Sequence, residues 1–183
     1  MPPEEDSASH PAAAANPFAA ADVAAILRER GWLAGEPTAG QQAWCERAAA
    51  LLGGHAADRA ELAELLGLVF HYEAREILRE VQTHAVLARY GARDVLRELA
   101  PHLLDPRVLD SDRLKEVITA MKERLEVSGR ELFHPIRLAL AGRAGAGVLD
   151  RVILLLDPAA ALGFAMPVKT AHERMLEFCS ALD

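Results

Sequence analysis

The chain has 183 residues, long enough for one well-buried domain or for two small ones sharing a surface. Hydrophobic residues make up 51% of it but are mostly Ala and Leu, and aromatics make up only 5%, a balance that favours helices over strands. The formal net charge of -7 excludes a uniformly basic nucleic-acid binder and a partner as anionic as a lipid surface.

In chain order, residues 1–17 are rich in Pro, Ala and acids and have no apolar periodicity, so a disordered tail is expected there. Glu4, Glu5 and Asp6 stand where a signal peptide would carry cations. A first helix is expected from an Asp22 cap to Arg30, stopped by Gly31. Gln41 to Leu52 forms the next, ended by Gly53-Gly54. Asp58 is suited to cap a third, with Leu62, Leu65 and Leu66 on one face and Gly67 closing it. Val69 to Tyr90 and then Ala92 to Leu104 continue the helical pattern of apolar pairs. Leu104-Asp105-Pro106 breaks it, since proline cannot continue a helix and biases the preceding residue away from helical geometry.

Asp110-Ser111-Asp112 is a cap cluster ahead of an amphipathic helix that buries Leu114, Val117, Ile118, Met121 and Leu125 and ends at Ser128-Gly129. A short helix is expected from Pro135, a residue suited to the first helical position, to Gly142. Val148 to Leu156 follows, ended by Asp157-Pro158, and a last helix runs from about Val168 to Leu182. The expected fold is all-α, about ten helices in two packed subdomains, 18–105 and 106–183. Trp32, Trp44 and Phe70 are assigned to the core, and Cys45 and Cys179 are read as buried small hydrophobes in a reducing compartment. No apolar run reaches the roughly 18–20 residues that cross a bilayer, so no membrane partner and a cytoplasmic location are expected.

From Glu116 the chain reads EVITAMKERLEVSGRELFHPIRLALAGR. Its Gly129, Leu132, Phe133, Pro135, Ile136, Arg137, Ala139, Leu140 and Gly142 match the pattern G-x-x-L-F-x-P-[LI]-R-x-A-L-T-G without interruption. In this stretch the chain resembles the C-terminal anticodon-binding region of bacterial glutamyl-tRNA synthetase. The resemblance extends more loosely upstream through Glu61-Leu62-Ala63-Glu64-Leu65 and Phe70-His71-Tyr72. Downstream it takes in Leu149 to Leu156 and Glu173-Arg174-Met175-Leu176, covering about residues 22–182 in all.

What the resemblance implies is an α-helix cage that contacts transfer RNA, with glutamate tRNA as the expected partner. Anticodon bases are unstacked, so their edges are open to hydrogen bonds and their faces to stacking. The arginine of P-[LI]-R contacts the anticodon in the family, which points to Arg137; a rigid, permanently charged fork of donors suits that work. Arg130, His134 and Arg143 flank the motif and are the further RNA-binding candidates. The loop that also touches the anticodon in the family corresponds to Ala146-Gly147-Val148-Leu149, which makes Leu149 a candidate too. That loop departs from the family's T/G-P-x-L element: Gly147 replaces proline, Ala146 offers no hydroxyl, and Ala141 replaces the threonine of A-L-T-G. With Gly145 beside it, the loop is expected to be more flexible and its base reading weaker. Residues 107–151 carry nine Lys/Arg against seven Asp/Glu, a modest basic footprint in an otherwise acidic chain. It predicts weak, salt-sensitive RNA contact.

The catalytic elements of the synthetases, H-x-G-H and a K-M-S-K-S-like loop, do not occur, and neither does a Gly-rich phosphate loop. The chain is therefore expected not to aminoacylate by itself and to need no cofactor, acting alone or beside a separately encoded catalytic chain. Glu80 and His84 share a helix face, but with no third ligand near them no metal site is expected. Two alternatives stay open. One is a helical protein-interaction or regulatory domain that has lost RNA reading, suggested by the acidic balance and the altered loop. The other is an excised C-terminal part of a complete synthetase.

Overall fold

The structure, a computed structural model, describes residues 16–183. The expected disordered tail falls outside the described residues up to position 15. Its last two residues, Asn16 and Pro17, are described. Asn16 is anchored: its Nδ2 donates to the Ala49 carbonyl at 2.7 Å, and its Oδ1 accepts from Phe18 N–H at 3.0 Å.

Ten α-helices and one 3-10 turn, Gly53–His55, make up the regular structure of the described residues, with no strand among them. The helices are α1 (Ala20–Glu29), α2 (Ala39–Leu52), α3 (Arg59–Phe70), α4 (Ala74–Ile77), α5 (Val81–Leu87), α6 (Ala92–Leu104), α7 (Ser111–Leu125), α8 (Gly129–Ala141), α9 (Val148–Ala160) and α10 (Ala171–Leu182). The fold is all-α, as composition and periodicity led one to expect.

Local capping explains most of the starts. Thr38 and Thr170 each accept from the N–H three residues on, and Gln41 and Glu173 return the bond to the cap's own N–H. Asp58 and Asp110 accept from Glu61 N–H and Arg113 N–H at 2.9 Å each. Asp22 is not the cap of α1: it sits three residues into the helix, and its carboxylate accepts from Ala19 N–H at 2.8 Å.

Four boundaries differ from expectation, three of them because a local breaker is carried inside a helix. Gly67 does not end α3 but lies inside it, where even a Cβ would make only an ordinary 3.6 Å contact with the Trp32 indole. The stretch from Val69 to Tyr90 is not one helix but the end of α3 followed by α4 and α5. Pro135 does not start a helix: α8 begins at Gly129, and the proline is buried in its interior. Pro158 likewise lies inside α9, whose preceding residue Asp157 bonds outward instead of ending the helix. Its carboxylate accepts from Leu109 N–H at 2.7 Å and from Ala171 N–H, the first residue of α10, at 2.8 Å.

One contiguous core runs from Val23 to Phe178. α2 and α3 both pack on α9, α9 packs on α8, and α8 packs on α6, so burial continues across the Asp105-Pro106 break. Trp44 (α2), Phe70 (α3) and Phe164 form an edge-to-face cluster with centroids 5.2–5.8 Å apart, and Trp32 stacks on Phe70 at 4.9 Å. Trp44 Nε1–H donates to Leu155 O at 3.1 Å, pinning α2 to α9. Cys45 is fully buried, as expected, whereas Cys179 is only half-buried.

The least expected core residue is Arg174, whose exposure is 0%. Its Nη1 donates to Leu68 O and Leu140 O, both at 2.9 Å, and its Nη2 to Val69 O at 2.6 Å. These are carbonyls from the last turns of α3 and α8, which have no partner within their helices. Tyr72 completes the set: its hydroxyl donates to Ala139 O at 2.5 Å, and its ring lies 4.5 Å from the Arg174 guanidinium. Backbone N–H groups close the remaining turns, His71 N–H to Gly67 O and Gly142 N–H to Leu138 O. Burial pushes the Arg174 guanidinium down to about 10, so it remains charged at neutral pH. The negative ends of two helix dipoles meet that charge where no carboxylate pairs with it.

Replacing Arg174 with leucine leaves three buried carbonyls without donors. A loss of about 2–5 kcal/mol in unfolding free energy is expected, offset in part by removal of a desolvated charge. Urea denaturation measures it; a loss below about 1 kcal/mol would mean the carbonyls find other partners.

Candidate nucleic-acid interface

The motif stretch Gly129–Gly142 forms α8, and its two faces have different fates. Leu132, Pro135, Ile136, Leu138, Ala139, Leu140 and Ala141 are buried. Gly142 ends the helix at φ +79°, a left-handed conformation that favours glycine, and a Cβ there would also press on the tip of Ile77 at 3.2 Å. On the other face stand Arg130, Phe133, His134 and Arg137.

Arg137 is held within the protein. Its Nε and Nη2 donate to the two oxygens of Asp150 at 2.7 and 2.8 Å, and its Nη1 donates to Gly145 O at 2.7 Å. The guanidinium also lies 4.8 Å from the Phe133 ring, and the side chain is only 12% exposed. The expectation that it presents a free fork to a base is therefore corrected: its donors toward Asp150 and the loop are already used. It closes the turn between α8 and α9 as a bidentate clamp. The same side chain ties that loop to α8 through the Gly145 carbonyl, and Gly147 lies near the Arg137 guanidinium. Leu149 is corrected as well. It is buried in the core at the start of α9 and presents no side chain to a ligand.

His134 and Arg130 lie where RNA can reach them. Arg130 is exposed at the start of α8, and no ion pair engages it among the described residues. His134 is half-buried, and its Nδ1 lies 3.0 Å from Nη1 of Arg89. The His134 pKa is lowered from 6.5, first by burial and then by the charges of Arg89, Arg137 and Arg130. A neutral imidazole can accept from Arg89, whereas an imidazolium would repel it. Lys122 of α7 adds a fourth cation, 5.6 Å from the other partner of the cluster, the Phe133 ring. Arg143 does not join this cluster. It lines a separate hollow with His71, Glu73, Glu76 and Glu80, where carboxylates outnumber it.

The basic count of the 107–151 segment thus divides. Arg107 pairs with Asp105, Arg124 with Glu98 at 2.9 Å, and Arg137 with Asp150. Arg113 donates to His102 O at 2.8 Å and Asp105 O at 3.0 Å, covering the end of α6. Lys115, Lys122, Arg130, Arg143 and Arg151 are exposed, and Arg130, Lys122 and the half-buried His134 are joined by Arg89 from the turn after α5. Arg89 was missed in the sequence because it lies 45 residues from its histidine. Only the packing of α5 on α8 brings them together. Among the described residues no group of three or more His, Cys, Asp or Glu side chains converges as a metal site would require, and no helix is long and apolar enough to cross a membrane.

Two measurements check this geometry. Arg137→Ala and Asp150→Ala should each destabilise the fold by about 1–2 kcal/mol, between exposed and buried pairs. The double variant should lose less than the sum, because each single change already breaks the pair. Additive losses in chemical denaturation would refute the clamp. The His134 ring should titrate below 6.5 by NMR, and Arg89→Ala should raise the midpoint. The linkage sign follows from the lowered value: the stabilisation is full above pH 6.5 and is lost as pH falls from there through the folded midpoint.

Compared with known proteins, residues 12–162 match the family described as anticodon binding domain. No curated protein and no solved structure matches the chain significantly.

Proposed function

The chain belongs to the anticodon-binding domain family, and from that premise we propose that it is a tRNA-binding module for glutamate tRNA that does not aminoacylate by itself. The observation that carries the reading is the outward cluster around α8: Arg89 meets His134 at 3.0 Å, the exposed Arg130 stands on the same helix, and Lys122 lies 5.6 Å from the half-buried Phe133 ring. Cations around an aromatic ring suit a phosphate backbone with unstacked bases beside it. The choice of glutamate tRNA rests on the dense motif from Gly129 to Gly142. The absence of H-x-G-H and K-M-S-K-S elements supports a binding role, exercised alone or beside a separately encoded catalytic chain.

With Arg137 held by Asp150, the module contacts RNA through charge and shape more than through base edges, so discrimination between anticodons is weak. Arg137 would read a base only if RNA binding released it from Asp150. A second reading, a helical protein-interaction domain on the same scaffold, is favoured by that clamp, by the burial of Leu149 and by the net charge of -7.

Titration of a glutamate tRNA transcript near 50 and 200 mM salt separates the two. Weak binding that falls steeply with salt is expected, and Arg89→Ala or Arg130→Ala should each weaken it and reduce the log–log salt slope by about one. Negligible wild-type binding at low salt would remove the RNA reading. A stable protein partner retained without RNA would put the second in its place.

A further inference from the structure

The chain has two tyrosines, and they have opposite environments. Tyr72 is buried beside Arg174 with its hydroxyl bonded. Tyr90 is fully exposed, and its hydroxyl has no partner among the described residues. An aromatic ring surrounded by water adds nothing to the core, and its apolar faces are left wet. It sits in the tight turn between α5 and α6, directly after Arg89 and directly before Gly91, which caps α6 with φ +79°. That glycine lets the chain reverse within the turn and present two consecutive side chains before α6 begins.

The position matters because Arg89 is fixed: its guanidinium meets His134 of α8 at 3.0 Å. Tyr90 follows Arg89 directly, with its Cα about 3.8 Å from that of Arg89, so the exposed ring leaves the chain next to the residue that binds His134. The exposed Arg93 follows one turn later on α6. An exposed ring next in the chain to a fixed cation is suited to take an unpaired nucleotide, its phosphate on the cation and its base on the ring.

We propose that Tyr90 is the base-stacking residue of this surface, holding one unpaired nucleotide of the anticodon loop whose phosphate lies on the Arg89, Arg130 and His134 cluster. The inference rests on the tRNA-binding reading above and adds to it a platform outside the motif stretch. Stacking is indifferent to base identity, because every base has a π face. The contact therefore contributes affinity and loop geometry, with little choice of sequence. It also supplies, on a protein of net negative charge, a grip that salt does not screen.

The test uses the full chain and a glutamate tRNA transcript. Tyr90→Ala should weaken binding by about tenfold, Tyr90→Leu by a similar factor, and Tyr90→Phe hardly at all. Because the side chain makes no core contact, all three variants should melt at the wild-type temperature. The salt slope should be unchanged in Tyr90→Ala and reduced in Arg89→Ala, since only the second removes a phosphate contact. Wild-type binding with Tyr90→Ala equally tight would overturn the stacking role and leave the tRNA reading standing. A Tyr90→Phe variant as weak as Tyr90→Ala would overturn it too, by assigning the contact to the hydroxyl. No wild-type binding at low salt would remove both.

Discussion

A single buried cation holds the arrangement of helices in place. Arg174 places its guanidinium, with an exposure of 0%, against the C-terminal carbonyls of both α3 and α8. Helix ends are the points where an all-α protein has backbone acceptors that its own ladder cannot satisfy, and burying such an end unpaired costs about 1–3 kcal/mol per group. Here two ends converge on one side chain from α10, with Tyr72 taking the adjacent Ala139 carbonyl. The partial negative charge of the two termini replaces the carboxylate a buried arginine usually demands. That meeting point fixes the position of α8, and so of the surface that α8 displays.

A second pair acts near the same end of α8. Arg137 and Asp150 join α8 to the first turn of α9 and draw the intervening glycine loop inward through Gly145. The motif arginine thereby becomes a structural clamp, and the contact surface moves to the half of the helix nearer its start. There Arg130 and His134 of α8, Lys122 of α7 and Arg89 from the turn after α5 come from two helices and one turn. In the proposed function, RNA contact would therefore rest less on the held arginine fork and more on these exposed cations.

The surface also reconciles an acidic protein with a polyanionic partner. Several of the basic residues between 107 and 151 are tied to carboxylates or to helix-end carbonyls, so net charge says little about what RNA would meet. Cations gathered in one place raise the local potential whatever the sign of the whole. The price is sensitivity to salt, which a neutral stacking contact at Tyr90 would soften.

By itself the sequence determined that the protein is all-α, where α3, α6, α7 and α9 start, that Trp44 and Phe70 lie inside, and that the chain is like an anticodon-binding domain. These follow from apolar periodicity, from cap residues such as Asp58 and Asp110 acting within one turn, and from a motif read position by position. Breakers were less legible. Gly67, Pro135 and Pro158 are all carried inside helices, because burial of the flanking residues outweighs the local cost of each. Tertiary structure alone decided the partners of the charged side chains. Arg174 lies 105 residues from Val69, Arg89 lies 45 from His134, and Asp150 was as plausible a surface acid as any other. Periodicity reports which face of a helix turns inward. Whether an arginine finds a carbonyl, a carboxylate or open water depends on which other helix arrives beside it, and that is settled only when the whole chain packs.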